Sequence, residues 1–242
     1  MSMTELTGDW HVHSTFSDDA VSTLEENIAA AHARGLRAIR LIDHVRADTT
    51  WVPDFLAAVR GLAVPDGLTV RTGVEAKILD AAGTLDVPAD LVVGPGGVDG
   101  IVIADHQFPG PDGPWSPTRA IAALAAGELS SAEAVAMLVH ATVAAMESAG
   151  GGAQLAHPFS ILPKIGLSED DIPGDLLRAW AEGAARTGTR VEVNEKWACP
   201  SPRAVRAARA AGAELVASTD SHRAEDVGRY DRVVGILHAA TP

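Results

Sequence analysis

The chain has a single cysteine, Cys199. An intrachain disulfide, a thiolate metal cage and CxxC redox chemistry are thereby excluded. Basic residues are scarce beside acidic ones: 19 Lys and Arg face 32 Asp and Glu, a formal net charge of −13. A surface of that sign repels nucleic-acid phosphate, though it leaves room for a local cationic pocket. Long apolar runs are also missing. The alanine-rich stretches are broken by Arg, Glu and His, so nothing approaches the roughly 18 apolar residues of a membrane span and none is expected. The opening MSMTELT has neither a basic n-region nor an apolar h-region, and no secretion signal is expected. No linker, repeat or low-complexity tail interrupts the sequence. A reducing compartment, most simply the cytoplasm, is the expected location.

What is present is beta-alpha alternation from end to end. Across 242 residues with 47% hydrophobic content, this predicts one α/β domain spanning 1–242, able to bury a full core unaided. Seven short runs read as strands, over 9–13, 38–43, 68–75, 100–104, 153–157, 190–195 and 214–219. Several, such as GIVIA at 100–104, are nearly continuous apolar runs, the mark of strands covered on both faces in a parallel sheet. Helices fall between them. Ser22 or Thr23 caps the first, with Glu25 and Glu26 in its opening turn and Gly35 past its end. Others are predicted over 130–148, 175–187 and 202–211, closed by Gly150–Gly152, Gly188 and Gly212. The Pro- and Gly-rich segments 109–117 and 161–173 read as loops over a site. The tail VVGILHAA at 233–240 is compatible with an eighth strand or a closing helix.

Metal-ligand types of side chain recur along this frame. His11, His44, Glu75 and His106 are separated by 33, 31 and 31 residues, about the length of one strand with its crossover helix. His157, Asp220 and His222 continue the series. His11 and His13 are two apart on a strand and so point to one face, together with Asp9. Asp9 is therefore expected to orient an imidazole from behind. A lone strand-end histidine is usually an ordinary hydrogen-bonded residue. Here six of the seven expected strands place His, Asp or Glu at the C-terminal rim, where βα barrels keep their chemistry. The joint pattern points to a polynuclear metal site. His32, His140 and His238 lie away from strand ends and are expected to be structural or solvated.

These residues resemble the PHP family, named for polymerase and histidinol phosphatase. DWHVHSTFSDDA at 9–20 is similar to its D-x-H-x-H-(S/T)-x-x-S motif. LIDH resembles the second-strand TDH, GVEAK the G-(I/V)-E motif, AHPF the A-H-P motif and STDSH the closing S-D-x-H motif. The resemblance runs from Asp9 to about Gly228. It implies a distorted, TIM-like seven-stranded (β/α)7 barrel with three divalent metals at its mouth. By position, His11, His13, Glu75 and Asp220 would hold the first metal, and Asp19, His44 and His222 the second. Glu75, His106 and His157 would hold the third, with Glu75 bridging. Asp18 is an alternative to Asp19. The chain departs from the family in having Ala104 and Asp105 before His106, and in the loop HQFPGPDGPW at 106–115.

Imidazole and carboxylate ligands suit zinc, manganese or iron alike. Clustered cations lower the pKa of a bridging water, giving hydroxide near neutral pH, and neutralise charge on phosphoryl oxygens. The expected activity is hydrolysis of a small phosphomonoester, with inorganic phosphate as product. Histidinol phosphate is the first candidate and a nucleotide monophosphate the second. Asp220 or His222 is the candidate acid for the leaving group. Arg46, Arg119, Lys196 and Arg223, with Lys164, are candidates for binding the phosphate. Asn194 and Glu195 are candidate substrate contacts, and Trp115 and Trp197 candidate linings of the mouth. Two alternatives stay open: a PHP-type nuclease or phosphodiesterase acting on nucleotides, and an amidohydrolase-type metal hydrolase. No membrane partner is expected, and the acidity disfavours nucleic acid.

Overall fold

The computed structural model describes residues 6–241. Seven strands form one parallel sheet: β1 (Gly8–Val12), β2 (Ala38–His44), β3 (Thr69–Lys77), β4 (Ile101–Ala104), β7 (Gln154–Leu155), β8 (Arg190–Asn194) and β9 (Leu215–Ser218), in that spatial order. A small antiparallel hairpin, β5 (Phe108–Gly110) with β6 (Gly113–Trp115), lies outside it. The sheet curls until its first strand meets the segment after its last. Val12 bridges Ser221 in parallel, His13 N donates to Ser221 O at 2.9 Å and Ser221 N to His11 O at 3.3 Å. The result is the expected seven-stranded, nearly closed TIM-like barrel.

Among the described residues eight α-helices accompany the strands: α1 (Leu24–Ala33), α2 (Val52–Arg60), α3 (Pro117–Ala126), α4 (Ser131–Ala149), α5 (Ile161–Lys164), α6 (Gly174–Thr187), α7 (Pro202–Ala211) and α8 (Arg232–Ala239). Their ends follow local chemistry. Thr23 and Ser130 close capping boxes with Glu26 and Glu133, satisfying N-terminal donors that have no intrahelical partner. Gly188 and Gly212 take the left-handed conformation that ends α6 and α7. The tail resolves as the helix α8. The segments expected as loops contain the β5–β6 hairpin and the short α5.

Strand alternation sorts side chains between two environments. Ile39, Leu41, Val74, Ala76, Ile101, Ile103, Leu155, Val191, Val193 and Ala217 join the main apolar core with residues of the helices. The intervening positions contribute a separate small cluster, Ile42, Val102, Ala104 and Ala156. Arg40, Glu75, Gln154, Glu192 and Asn194 fall on that same inner face and are all buried. A parallel register sets His44 opposite Glu75 and Glu75 opposite Val102, so ligand-type residues of neighbouring strands arrive at one rim.

The barrel seam corrects the expectation for Asp9. Between Asp9 and Val12 the pairing with β2 shifts, three steps on β1 matching two on β2. A bulge of this kind re-aims the side chains beside it. Asp9 consequently accepts hydrogen bonds from Thr219 N, Thr219 Oγ1 and Gly228 N at 3.0, 2.6 and 2.9 Å. It ties β1 to the end of β9 and orients no imidazole ring. Burial pushes its pKa up to about 6, against the pull of these donors.

At the opposite end of the barrel, β4 and β7 are preceded by glycines that touch. A Cβ on Gly100 would lie 2.1 Å from Gly152 O and 2.6 Å from Arg40 Nη2. Gly100→Ala is expected to destabilise the fold by about 1–3 kcal/mol through overpacking, read as a lower urea midpoint with an unchanged m-value. An unaltered midpoint would contradict this packing.

Candidate metal centre

Glu75 sits at the centre of the barrel mouth, 2% exposed. Its Oε1 lies 3.2 Å from His106 Nε2 and 3.2 Å from His157 Nε2. Its Oε2 lies 3.5 Å from His11 Nε2, 3.4 Å from His13 Nε2 and 2.9 Å from His44 Nδ1. Asp220 Oδ1 approaches His13 Nε2 at 3.4 Å and His11 Nε2 at 3.9 Å. Asp19 Oδ2 stands 3.5 Å from His44 Nε2 and 3.1 Å from His222 Nε2. The structure thus brings together all nine residues singled out by the sequence pattern: His11, His13, Asp19, His44, Glu75, His106, His157, Asp220 and His222. Asp19, rather than Asp18, makes these approaches.

The spacing fits cations. Donor atoms about 2.1 Å from one ion stand roughly 3.0–3.4 Å apart in octahedral or tetrahedral geometry. Among the described residues, three overlapping groups bring their ligand atoms within 4.8 Å of one another: His11, His13 and Asp220; His13, His44 and His222; and His44, Glu75 and His106.

The protons on the rings give a sharper test. His11 Nδ1 faces Glu192 Oε1 at 2.7 Å, an acceptor, so that nitrogen carries the proton. His13 Nδ1 faces Ser17 Oγ at 3.3 Å, whose hydroxyl donates to Asp43 at 2.7 Å, so His13 Nδ1 donates as well. His157 Nδ1 faces Asp105 at 3.3 Å and Ser160 Oγ at 3.0 Å, and Ser160 donates to Asp105 at 2.7 Å. The Nε2 of all three rings therefore points at the cluster, as a lone pair whenever the ring is neutral. Those of His11 and His13 face each other at 2.9 Å, beside buried Glu75 Oε2, whose nearest nitrogen is His44 Nδ1 at 2.9 Å. Such an arrangement of lone pairs repels itself unless a cation, either a proton or a metal ion, lies among them. Side-chain acceptors behind ligating imidazoles are the usual means of aiming them at a metal.

The electrostatics agree. Burial opposes charge on His157, but Asp105 and Glu75 outweigh it and hold its pKa at about 10. Burial likewise opposes charge on His11, and Glu192, Glu75 and Asp220 raise it well above the ordinary range. Burial pushes the neighbouring His13 down to about 3, with His11 adding to the effect. Glu75 and Asp220 stay well below the usual carboxylate range despite burial, Glu75 through His106 and His11, Asp220 through His11 and His13. Backbone strain accompanies two of these residues: His157 and Asp220 have φ of 28° and 54°, a region non-glycine residues avoid and functional sites retain.

Two cavities flank the cluster. One, about 320 Å³, is lined by Asp18, Asp19, His44, Arg46, Glu75, Lys77 and His106 among others. The second, about 390 Å³, is lined by Lys196, Asp220, His222, Arg223 and Arg229 among others. Arg46, Lys196 and Arg223 therefore border the site. Lys196 Nζ lies 3.3 Å from His222 Nδ1 and 3.5 Å from Asp220 Oδ1. Arg119 is placed elsewhere: it pairs with Asp112 at 2.7 Å and lies over the Trp115 ring, lining neither cavity. Trp115 packs on Phe108. Trp197 borders the cluster, donating to Asp220 Oδ2 at 2.8 Å, with Lys164 4.0 Å above its ring. Glu195 lines the second cavity and also accepts from Arg232 N and Val233 N at 3.0 and 2.9 Å, capping α8. Asn194 turns inward and donates to Glu192 at 3.0 Å. His32, His140 and His238 are exposed on helices, as expected.

Sequence reasoning missed Glu192, Asp105, Asp43 and Lys77. The signal for Glu192 was a charge inside the apolar run RVEVN. For Asp105 it was the unusual residue before His106.

A barrel with this His, Asp and Glu cluster at its mouth defines a metal-dependent phosphoesterase. The chain belongs to the PHP domain family, whose model matches residues 9–166. It is 28% identical to a protein of Pectobacterium carotovorum named probable phosphatase, over 95% of this chain and 84% of that one. It is 27% identical to the probable phosphatase YcdX of Escherichia fergusonii, over 96% and 84%. In fold it is similar to a histidinol phosphate phosphatase from Lactococcus lactis, solved in complex with zinc, L-histidinol and phosphate. That likeness has a TM-score of 0.66 at 14% identity, over 96% of this chain and 92% of that one. Among the described residues no helix is long and apolar enough to cross a membrane.

Imidazole nitrogens must be unprotonated to bind metal. With His11 and His157 holding protons at neutral pH in the metal-free chain, metal binding is expected to release protons. Apparent affinity then rises with pH and weakens in acid. Titration calorimetry with zinc in buffers of different ionisation enthalpy checks this; a heat independent of buffer would contradict it.

Proposed function

We propose that the chain hydrolyses a small phosphomonoester at a centre of three divalent ions. The first would be held by His11, His13, Glu75 and Asp220, the second by Asp19, His44 and His222. The third would be held by Glu75, His106 and His157. The observation that carries this is buried Glu75 Oε2 lying 3.5 and 3.4 Å from the Nε2 atoms of His11 and His13, which themselves stand 2.9 Å apart. The ligand chemistry admits manganese, zinc or iron. When bound, such ions supply a water of lowered pKa and neutralise phosphoryl charge.

The chain's own groups do the rest. Arg46 on one side and Lys196 and Arg223 on the other offer cations to phosphoryl oxygens that the cluster does not engage. Asp220 remains ionised, held low by His11 and His13 against burial, and delivers no proton. The other candidate acid, His222, would carry its proton on Nδ1, which faces Asp220 O at 3.0 Å and Lys196 Nζ at 3.3 Å, while its Nε2 serves the second ion. The related solved structure holds L-histidinol and phosphate, and histidinol phosphate remains the first candidate substrate, ahead of a nucleotide monophosphate. The reading assumes a reducing cytoplasm, where Cys199 stays a buried thiol. The monoester is favoured over a nucleic-acid substrate by the net charge of −13.

The test is phosphate release from an aryl phosphate and from an aryl diester, each with manganese, zinc or iron. The monoester should be the preferred substrate. His13→Ala and Glu75→Ala should lower turnover by at least about 100-fold, while His140→Ala, on an exposed face of α4, retains it. Equal activity in all three variants, or preference for the diester, would overturn the assignment.

A further inference from the structure

We propose that Arg40 and Gln154, deep inside the barrel, are positioning residues for the metal centre and act on His11 through Glu192. The inference rests on the reading of His11 as a metal ligand. It extends that reading to two side chains that border neither cavity.

Glu192 is fully buried and accepts four donors. His11 Nδ1 and Gln154 Nε2 reach Oε1 at 2.7 and 2.6 Å. Asn194 Nδ2 and His157 N reach Oε2 at 3.0 and 3.1 Å. The carboxylate is saturated, so its orientation, and that of the His11 ring, depends on what holds these donors. Asn194 and His157 are held by their own strand and loop. Gln154 is held from below.

Arg40 supplies that hold. It is 1% exposed, and its Nη1 donates to Gln154 Oε1 at 3.1 Å, its Nη2 to Gly152 O at 3.1 Å and its Nε to Thr72 O at 3.3 Å. A guanidinium has no acceptor, so Gln154 must turn its oxygen towards Arg40 and its NH₂ towards Glu192. The same NH₂ also donates to Trp10 O at 2.7 Å. The amide cannot flip without losing three bonds. A directed chain results, running from Arg40 through Gln154 to Glu192, which accepts the hydrogen bond of His11 Nδ1–H and so turns Nε2 to the cluster.

A second observation sets this apart from simple filling of the barrel. Two glycines make room for the guanidinium. A Cβ on Gly73 would stand 3.0 Å from Arg40 Nε, and one on Gly100 2.6 Å from Nη2. An apolar side chain would fill the same space without the desolvation that a buried cation incurs. The buried charge is intelligible as the counterpart of Glu192, one amide away.

The experiment measures zinc affinity by competition with a chromophoric chelator, on full-length variants whose folding is checked by circular dichroism. Arg40→Met and Gln154→Leu should each weaken the tightest zinc site about tenfold or more. The double variant should be no weaker than the worse single one, because both interrupt one chain. Gln154→Asn guards against loss of folding. It keeps the amide but shortens it by one methylene, too short to reach both Arg40 and Glu192, and should show the same loss. His140→Ala should bind as the unaltered protein does. A purely structural role would lower the melting temperature and leave the affinity of the folded protein unchanged; that result, in any folded variant, overturns the proposal. If the unaltered protein takes up no zinc, the metal-centre reading falls and this inference with it. Zinc-binding wild type with equally tight variants removes the inference alone.

Discussion

The carboxylate of Glu75 is the point on which the site depends. It is buried among five imidazoles, and a buried anion is tolerated only when positive charge answers it. Here the answer comes from different strands and loops, held in place by second residues that aim each ring inward. Glu192 stands behind His11, Ser17 and Asp43 behind His13, and Asp105 behind His157. The arrangement makes sense as a receptacle for cations. The Nε2 atoms of His11 and His13 face each other at 2.9 Å beside Glu75 Oε2, a contact that needs a cation, proton or metal ion, among them.

The barrel delivers these groups because parallel strands share one direction. Each strand's C-terminal end reaches the same rim, so residues some thirty positions apart converge without any local sequence proximity. The mouth is strained where it is most crowded, at His157 and Asp220. The closed end is quiet, with glycines at 73, 100 and 152 packed around Arg40. The seam between β1 and β9 has few ladder bonds, and the Asp9 carboxylate replaces part of them. Asp9 was thus drawn away from the metal face by the bulge that shapes the barrel's first strand.

Much of this was legible in the chain. All seven sheet strands could be seen, several because strands covered on both faces are written as short apolar runs. The rim residues were visible for the same reason: His44, Glu75, His106 and His157 each stand at or just past the end of such a run. Other features were not legible. The β5–β6 hairpin lies within FPGPDGPW, where Pro and Gly hide strands of three residues each. Helix α3 begins one residue after that segment, and α2 has a proline in its first turn and no side-chain cap. Helix α8 is capped by Glu195, a partner no local pattern reveals. Arg119 was expected at the phosphate, but Asp112 and Trp115 occupy it. Glu192 and Gln154 lie inside strands, where a polar residue reads as an exception to burial until its partners on other strands are known.

The central claim is that one buried carboxylate organises a cluster of metal ions, and anomalous X-ray scattering from crystals grown with zinc tests it most directly. The account predicts three peaks around Glu75: one among His11, His13 and Asp220, one among Asp19, His44 and His222, and one beside His106 and His157. Diffraction that showed no peak against Glu75, with zinc bound only at other surfaces, would contradict it.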